Sequence, residues 1–110
     1  MNCDCDLHKV TGLTQTDTNI QMTVTNSTNI SNLDRFDLVL CVNPSTVVTG
    51  SPLAFSINVN GAEVPLRNKY GLPITSDRLN MRKRYCGAYV NDGTNSWVVL
   101  FNTPCCAAYA

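Results

Sequence analysis

The sequence predicts an all-β domain, and three observations carry this prediction. Asparagine, threonine and serine supply 32 of the 110 residues, and threonine favours strands while asparagine and serine favour turns. Straight-chain helix formers are scarce, with one glutamate and two glutamines. Alternating apolar runs are separated by turn signals roughly every 8–12 residues. We therefore expect a single antiparallel β-sandwich, jelly-roll-like, with six to eight short strands and cysteine-bearing terminal tails.

The first two predicted strands occupy residues 18–25 and 36–42. In the first, Ile20, Met22 and Val24 alternate with polar residues, which indicates a strand with one buried face. In the second, both alternating sets contain apolar residues. This pattern favours a central strand that is covered on both sides.

A hairpin is predicted next, from apolar runs at residues 55–59 and 62–66. Asn60 and Gly61 separate the two runs, and this pair favours the tight turn in which both central residues have positive φ. Pro65 lacks a backbone donor. The second strand of the hairpin is therefore expected to end near it or to lie at a sheet edge.

The remaining strands are predicted at residues 82–90 and 96–102, joined by a hairpin turn at residues 91–93. Residues 72–74 form a short extended piece before them. Pro104 ends the last strand because proline cannot donate to a sheet.

The length fits one domain, which we place at residues 13–104, between an N-terminal tail at 1–12 and a C-terminal tail at 105–110. No segment reaches the ~18–20 apolar residues of a membrane helix, so we expect no contact with a membrane. Residues 1–6 are acidic and polar, unlike the basic and apolar start of a secretory signal, so no secretory signal peptide is expected.

Six cysteines in so short a chain are unusual. Two lie within predicted strands, at Cys41 and Cys86, and the others lie in the predicted tails, at Cys3, Cys5, Cys105 and Cys106. Reduced thiols that pack as small apolar groups are one interpretation. The other leading interpretation is that the four terminal thiols cross-link neighbouring copies or tie a tail to the domain.

A zinc site and a catalytic thiol are further alternatives. The zinc candidates are Cys3, Cys5, His8, Cys105 and Cys106. Zinc takes four nitrogen or sulfur ligands, usually from pairs of cysteines with two to four other residues between them. Cys3 and Cys5 have one residue between them, and Cys105 and Cys106 are adjacent, so neither is such a pair. A catalytic thiol would need the sole histidine as its partner. We therefore predict neither a metal nor any other cofactor.

Six of the eight basic residues fall within 18 positions, at Arg67, Lys69, Arg78, Arg82, Lys83 and Arg84. The net charge is zero, but residues 1–55 carry −3 and residues 56–110 carry +3. The cluster is interpreted either as a solvated strand edge or as a patch that contacts acidic groups on a neighbouring copy or scaffold. Nucleic-acid binding, with nearby tyrosines as stacking groups, is disfavoured by the zero net charge.

Three stretches resemble small structural proteins of tailed bacteriophages. They are VNGAEVPLRNKYG at residues 59–71, RKRYCGAY at 82–89 and FNTPC at 101–105. The resemblance covers roughly the C-terminal half of the chain. It implies a β-domain on a virion surface or associated with a capsid, without catalysis.

The start of the chain, MNCDC, resembles the N-terminal connectors of cysteine-bearing jelly-roll subunits of bacterial endospore appendages. Those subunits carry an adjacent cysteine pair near the N-terminus, whereas here the adjacent pair is at Cys105 and Cys106. Both resemblances imply a protein that reaches the oxidising exterior by cell lysis.

These observations predict a structural role and not an enzyme, since no catalytic set of residues occurs at a meaningful spacing. We expect a non-catalytic subunit that packs in repeated copies on a virion, with terminal tails that contact neighbours. Its expected partners are other copies of itself, a capsid shell protein, or both, without a small-molecule substrate. A disulfide-linked subunit of an extracellular or spore-surface filament, and a small zinc-binding or glycan-binding module, are the alternatives.

Overall fold

A computed structural model of the chain describes residues 7–81 and 83–101. Within these residues the regular secondary structure consists of one short 3₁₀ turn at Pro44–Thr46 and eight strands. The eight strands are β1 (Leu7–Gln15), β2 (Asn19–Val24), β3 (Asp37–Leu40), β4 (Ala54–Val59), β5 (Ala62–Asn68), β6 (Arg84–Tyr85), β7 (Gly87–Asn91) and β8 (Ser96–Leu100). The all-β prediction is confirmed.

All eight strands belong to one sheet, in the order β6-β3-β1-β2-β4-β5-β8-β7, which is nearly closed into a barrel. The pairs β1–β2, β3–β6, β4–β5 and β7–β8 are antiparallel. The pairs β1–β3, β2–β4 and β5–β8 are parallel. The sheet is therefore mixed and not antiparallel as predicted, and the predicted jelly-roll-like sandwich is not confirmed. Hairpins have local turn signals, whereas pairing between distant strands has none.

The barrel closes where β6 and β7 follow each other along the chain. β6 pairs with β3, and β7 pairs with β8 at the other end of the sheet order. β7 also contacts the segment before β3: Phe36 N–H donates to Gly87 O (2.8 Å), and Arg35 forms a bridge with Ala88. We call this contact the seam. The seam joins the two edges of the sheet.

Gly87 lies at the seam because there is no room for a side chain. A Cβ atom at this position would stand 2.5 Å from Phe36 O and 2.7 Å from Val99 O, which are backbone atoms on either side. It would also stand 2.7 Å from Leu100 Cδ2. Only glycine allows the two neighbouring backbones to approach this closely.

The barrel interior is filled by side chains from every long strand. Ile20 and Met22 are buried, as predicted from the alternation in β2. The largest fully buried apolar side chains are Phe36, Phe55, Ile20, Met22, Leu38, Leu40, Ile57 and Leu66. The described part of the chain contains no helix long and apolar enough to cross a membrane.

The N-terminal strand was missed by the sequence prediction, which places residues 1–12 in a tail. β1 begins at Leu7 and pairs with both β2 and β3, with Val10 fully buried. The alternating buried positions of β1 begin with a histidine, which an apolar pattern does not reveal. His8 is buried and stacks on Phe36 with ring centroids 3.9 Å apart.

We predict that Gly87→Ala lowers the free energy of unfolding by about 3 kcal/mol, because rigid backbone atoms on both sides cannot move away. Gly12→Ala is the matched control, since a Cβ there would meet only Thr23 at an ordinary 3.6 Å. The control should change stability by less than about 0.5 kcal/mol. Urea denaturation of both variants measures the difference, and equal stabilities would contradict this account of the seam.

Candidate functional site

One end of the barrel carries an open pocket of about 600 Å³. β5 and β8 run parallel and finish at this end, at Asn68 and Leu100, and β4 and β6 begin there. Residues 72–75 cross this end: Ile74 N–H donates to Leu66 O, and Phe55 N–H donates to Ile74 O (both 3.0 Å). We call the pocket at this end of the barrel the basic pocket. Its apolar lining comes from Leu72, Pro73, Ile74, Leu79, Leu100 and Phe101.

The basic side chains of the pocket belong to the cluster predicted from sequence. Arg78, Lys83 and Arg84 line it, together with Tyr85. Tyr85 is half-buried, and its hydroxyl oxygen accepts a hydrogen bond from Asn80 N–H (2.9 Å). The spacing of these residues in sequence predicts a patch. The fold adds an apolar floor beneath it.

Two other members of the predicted cluster lie over aromatic rings. The Arg67 guanidinium stands 5.2 Å from the ring centroid of Trp97, and Lys69 Nζ stands 5.3 Å from that of Tyr70. Such cation–π contacts hold the charges at fixed positions on the surface. The last predicted member, Arg82, lies outside the described residues.

Exposed apolar side chains surround the basic pocket. Among the described residues, four of the five large apolar side chains at the surface belong to this end: Tyr70, Leu72, Met81 and Phe101. Leu72 and Phe101 also line the pocket itself. Aromatic residues, methionine and arginine are the types enriched at protein interfaces.

A carboxylate also stands at this end, beside Arg78. Asp77 Oδ1 accepts a hydrogen bond from the Thr75 hydroxyl. That bond, the backbone N–H of Asp77 and the charge of Arg78 lower the pKa of the Asp77 carboxyl against the opposing effect of desolvation. Asp77 therefore stays ionised to a lower pH than a free aspartate.

The opposite end of the barrel carries more acidic than basic side chains, because three exposed carboxylates outnumber Lys9 and Arg35, which also lie there. Glu63 lies near the start of β5, Asp92 follows β7, and Asp34 precedes β3, and all three are exposed. Hydrogen bonds from the backbone N–H groups of Asn95 and Thr94 lower the pKa of Asp92. The two ends of the molecule therefore carry charges of opposite sign.

A prominent apolar residue, Leu33, precedes Asp34 at this end of the barrel. The side chain of Leu33 is 69% exposed, the second-highest fraction among the large exposed apolar side chains of the described residues. Its φ is 69°, in the left-handed region that leucine rarely adopts. Sequence reasoning missed this residue, because neither its exposure nor its backbone angle has a local signal.

His8, the predicted zinc candidate, is held inside the protein. Its Nδ1–H donates to Thr25 O at 2.9 Å, and its ring lies flat on Phe36. Within residues 7–81 and 83–101, no group of three or more histidine, cysteine or acidic side chains is arranged to hold a metal ion. The other zinc and cross-link candidates, Cys3, Cys5, Cys105 and Cys106, lie outside the described residues.

The two described cysteines are free thiols in different surroundings. Cys41 is exposed just after β3, and Cys86 is half-buried at the seam. An Arg35 guanidinium N–H donates to Cys86 Sγ at 3.8 Å. Desolvation raises the pKa of the Cys86 thiol, and the Asp37 charge adds to this, while Arg35 acts in the opposite direction.

Comparison of the chain with protein-family models, with characterised proteins and with solved structures finds no match.

We predict that Cys41 reacts several-fold faster than Cys86 with iodoacetamide in the native, reduced protein. The thiolate is the reacting form, and the raised pKa of Cys86 means that less of it is ionised at a given pH. Raising the pH should therefore narrow the difference. Peptide mass spectrometry after timed labelling resolves the two sites, and labelling in urea, where the rates should converge, is the control. Faster labelling of Cys86 in the native state would contradict this description.

Proposed function

We propose that this chain is a non-catalytic structural subunit that packs in repeated copies on a virion, as a capsid-associated or decoration-type protein. One observation carries the proposal: a basic pocket with an exposed apolar rim lies at one end of the barrel, and carboxylates lie at the other. Such a surface is suited to protein contact, because apolar and arginine groups supply affinity while complementary charges set orientation.

The composition of the chain supports contact between copies. A net charge of zero means that neighbouring copies do not repel each other as whole molecules. Opposite charges at the two ends attract when copies approach in one orientation and repel when like ends meet. A particle surface built from one repeated subunit requires this kind of orientational preference.

The virion setting comes from the resemblance of residues 59–71, 82–89 and 101–105 to bacteriophage structural proteins. In this setting the partners are other copies of the chain, a capsid shell protein, or both, and the terminal tails contact neighbours. The protein would reach the exterior when the host cell lyses.

A disulfide-linked filament subunit is the second candidate. The exposed free thiol of Cys41 favours it, because an accessible cysteine on the barrel itself can form a bond to a neighbouring copy. Reducing and non-reducing gels of material from the native particle distinguish the two candidates. Covalent ladders that collapse on reduction would favour the filament. A zinc-binding or glycan-binding module stays a prediction from the sequence.

We predict that the reduced full-length chain self-associates as its concentration rises, and that salt weakens this association. Sedimentation velocity at about 0.02 M and about 0.5 M salt measures both effects, because exposed charges are screened over a few ångströms at the higher salt. The average mass should rise with concentration and fall with salt. A chain that stays monomeric at every concentration, both oxidised and reduced, would rule out the proposed function.

A further inference from the structure

We propose that copies of this chain bind end to end, with Leu33 of one copy inserted into the basic pocket of the next. Asp34 and Asp92 of the first copy then face the basic side chains of that pocket. The proposal rests on the proposed function, because it specifies the contact through which the repeated copies pack.

Leu33 is held in an exposed position at a cost in energy. A leucine in the left-handed region is disfavoured by roughly 1–2 kcal/mol, whereas glycine or asparagine takes this conformation readily. The loop is fixed nevertheless: Leu33 N–H donates to Tyr89 O (2.6 Å), and Ser31 N–H donates to Asp34 Oδ2 (2.7 Å). A strained backbone that presents a large apolar side chain to solvent indicates a contact residue.

The basic pocket has the features that such a side chain requires. Its floor is apolar, with Ile74, Leu79 and Leu100 at its base, and its volume of about 600 Å³ is ample for a leucine side chain. Leu72 and Phe101 add apolar surface at its margin. Burying Leu33 there removes apolar surface of both copies from water.

Charge determines which partner the pocket accepts. Arg78, Lys83 and Arg84 line it. Asp34 is the next residue after Leu33, and Asp92 follows the end of β7, where Asn91 N–H donates to Asn32 Oδ1 (2.8 Å). When Leu33 enters the pocket, the carboxylates of Asp34 and Asp92 therefore lie beside it and complement the basic side chains of the pocket wall.

The two surfaces lie at opposite ends of one barrel, so the contact joins unlike surfaces. A contact of this kind leaves a free pocket on one copy and a free Leu33 on the other. It therefore continues into a ring or a filament, depending on the rotation between copies. A symmetric dimer that uses one patch twice would stop at two copies.

The test uses two full-length variants kept under reducing conditions. Leu33→Asn removes the inserted side chain and relieves the backbone strain, so its thermal midpoint should equal or exceed that of the wild type. Lys83→Glu combined with Arg84→Glu reverses the charge of the pocket wall at two exposed positions. By sedimentation velocity, each variant alone should self-associate at least about tenfold more weakly than the wild type.

Mixing the two variants separates the proposed contact from other modes of association. The Leu33→Asn copy retains an intact pocket, and the charge-reversed copy retains Leu33, so together they should form a complex of two chains that grows no further. Lys9→Glu, a single charge reversal at an exposed position of β1 outside the pocket lining, is the control and should not weaken association.

The outcomes distinguish this inference from the proposed function. Wild-type association that persists unchanged in Leu33→Asn and in the charge-reversed variant overturns the end-to-end contact but leaves the structural role standing. Two weakened variants that do not complement each other overturn the head-to-tail arrangement. A wild type that never associates overturns the proposed function itself. A second variant, Leu33→Gly, shows that any loss is due to the missing side chain and not to asparagine, because it should behave in the same way.

Discussion

The buried carboxylate of Asp37 is the group on which closure of the barrel depends. Asp37 is fully buried at the start of β3, where its Oδ1 accepts a hydrogen bond from Gly87 N–H (3.1 Å) and its Oδ2 pairs with Arg35 Nε (2.8 Å). A buried carboxylate is costly without such partners. The hydrogen bond from Gly87 N–H brings the backbone of Gly87 against β3. The absence of a side chain at Gly87 makes that approach possible.

The seam also positions residues that line the basic pocket. Because the chain changes partners at Cys86, the strand before it pairs with β3 and the strand after it pairs with β8. Lys83 and Arg84 therefore line the same pocket as Leu100 at the end of β8, and Tyr85 packs against the core. A chain that continued along one neighbour would not carry these basic residues to the mouth of the barrel.

Local chemistry predicts the hairpins well. Asn60 and Gly61 have φ values of 55° and 83°, the positive pair that their turn requires. The prediction that this strand ends near Pro65 or lies at a sheet edge is wrong, because β5 continues to Asn68 between β4 and β8. The pairing of β5 with β8 begins only at Leu66, so the missing donor of Pro65 is accommodated inside the sheet. Such signals depend on neighbouring residues alone. They therefore identify strands joined by a tight turn.

Long-range features have no such signal. The parallel pairings depend on contacts between segments far apart in sequence. The pairing of β1 with β3, which places β1 inside the sheet, is one of them. The sequence predicts His8 as a metal candidate because the residue type alone does not indicate that its ring stacks on Phe36 in the core. The basic residues lie close together in sequence, so their spacing predicts the cluster. The apolar floor of the pocket comes from Ile74, Leu79 and Leu100, which are not close together in sequence.

The separation of charge illustrates the same point and sharpens its consequence. The sequence divides into a −3 half and a +3 half, but the acidic end of the barrel includes Glu63 and Asp92 from the positive half. Polarity therefore arises from which strand ends carry the charges and not from the order of residues. In a molecule with zero net charge and oppositely charged ends, unlike ends of two copies attract each other and like ends repel. At the acidic end, Leu33 has a strained backbone and an exposed side chain. In the end-to-end arrangement that side chain supplies the apolar contact.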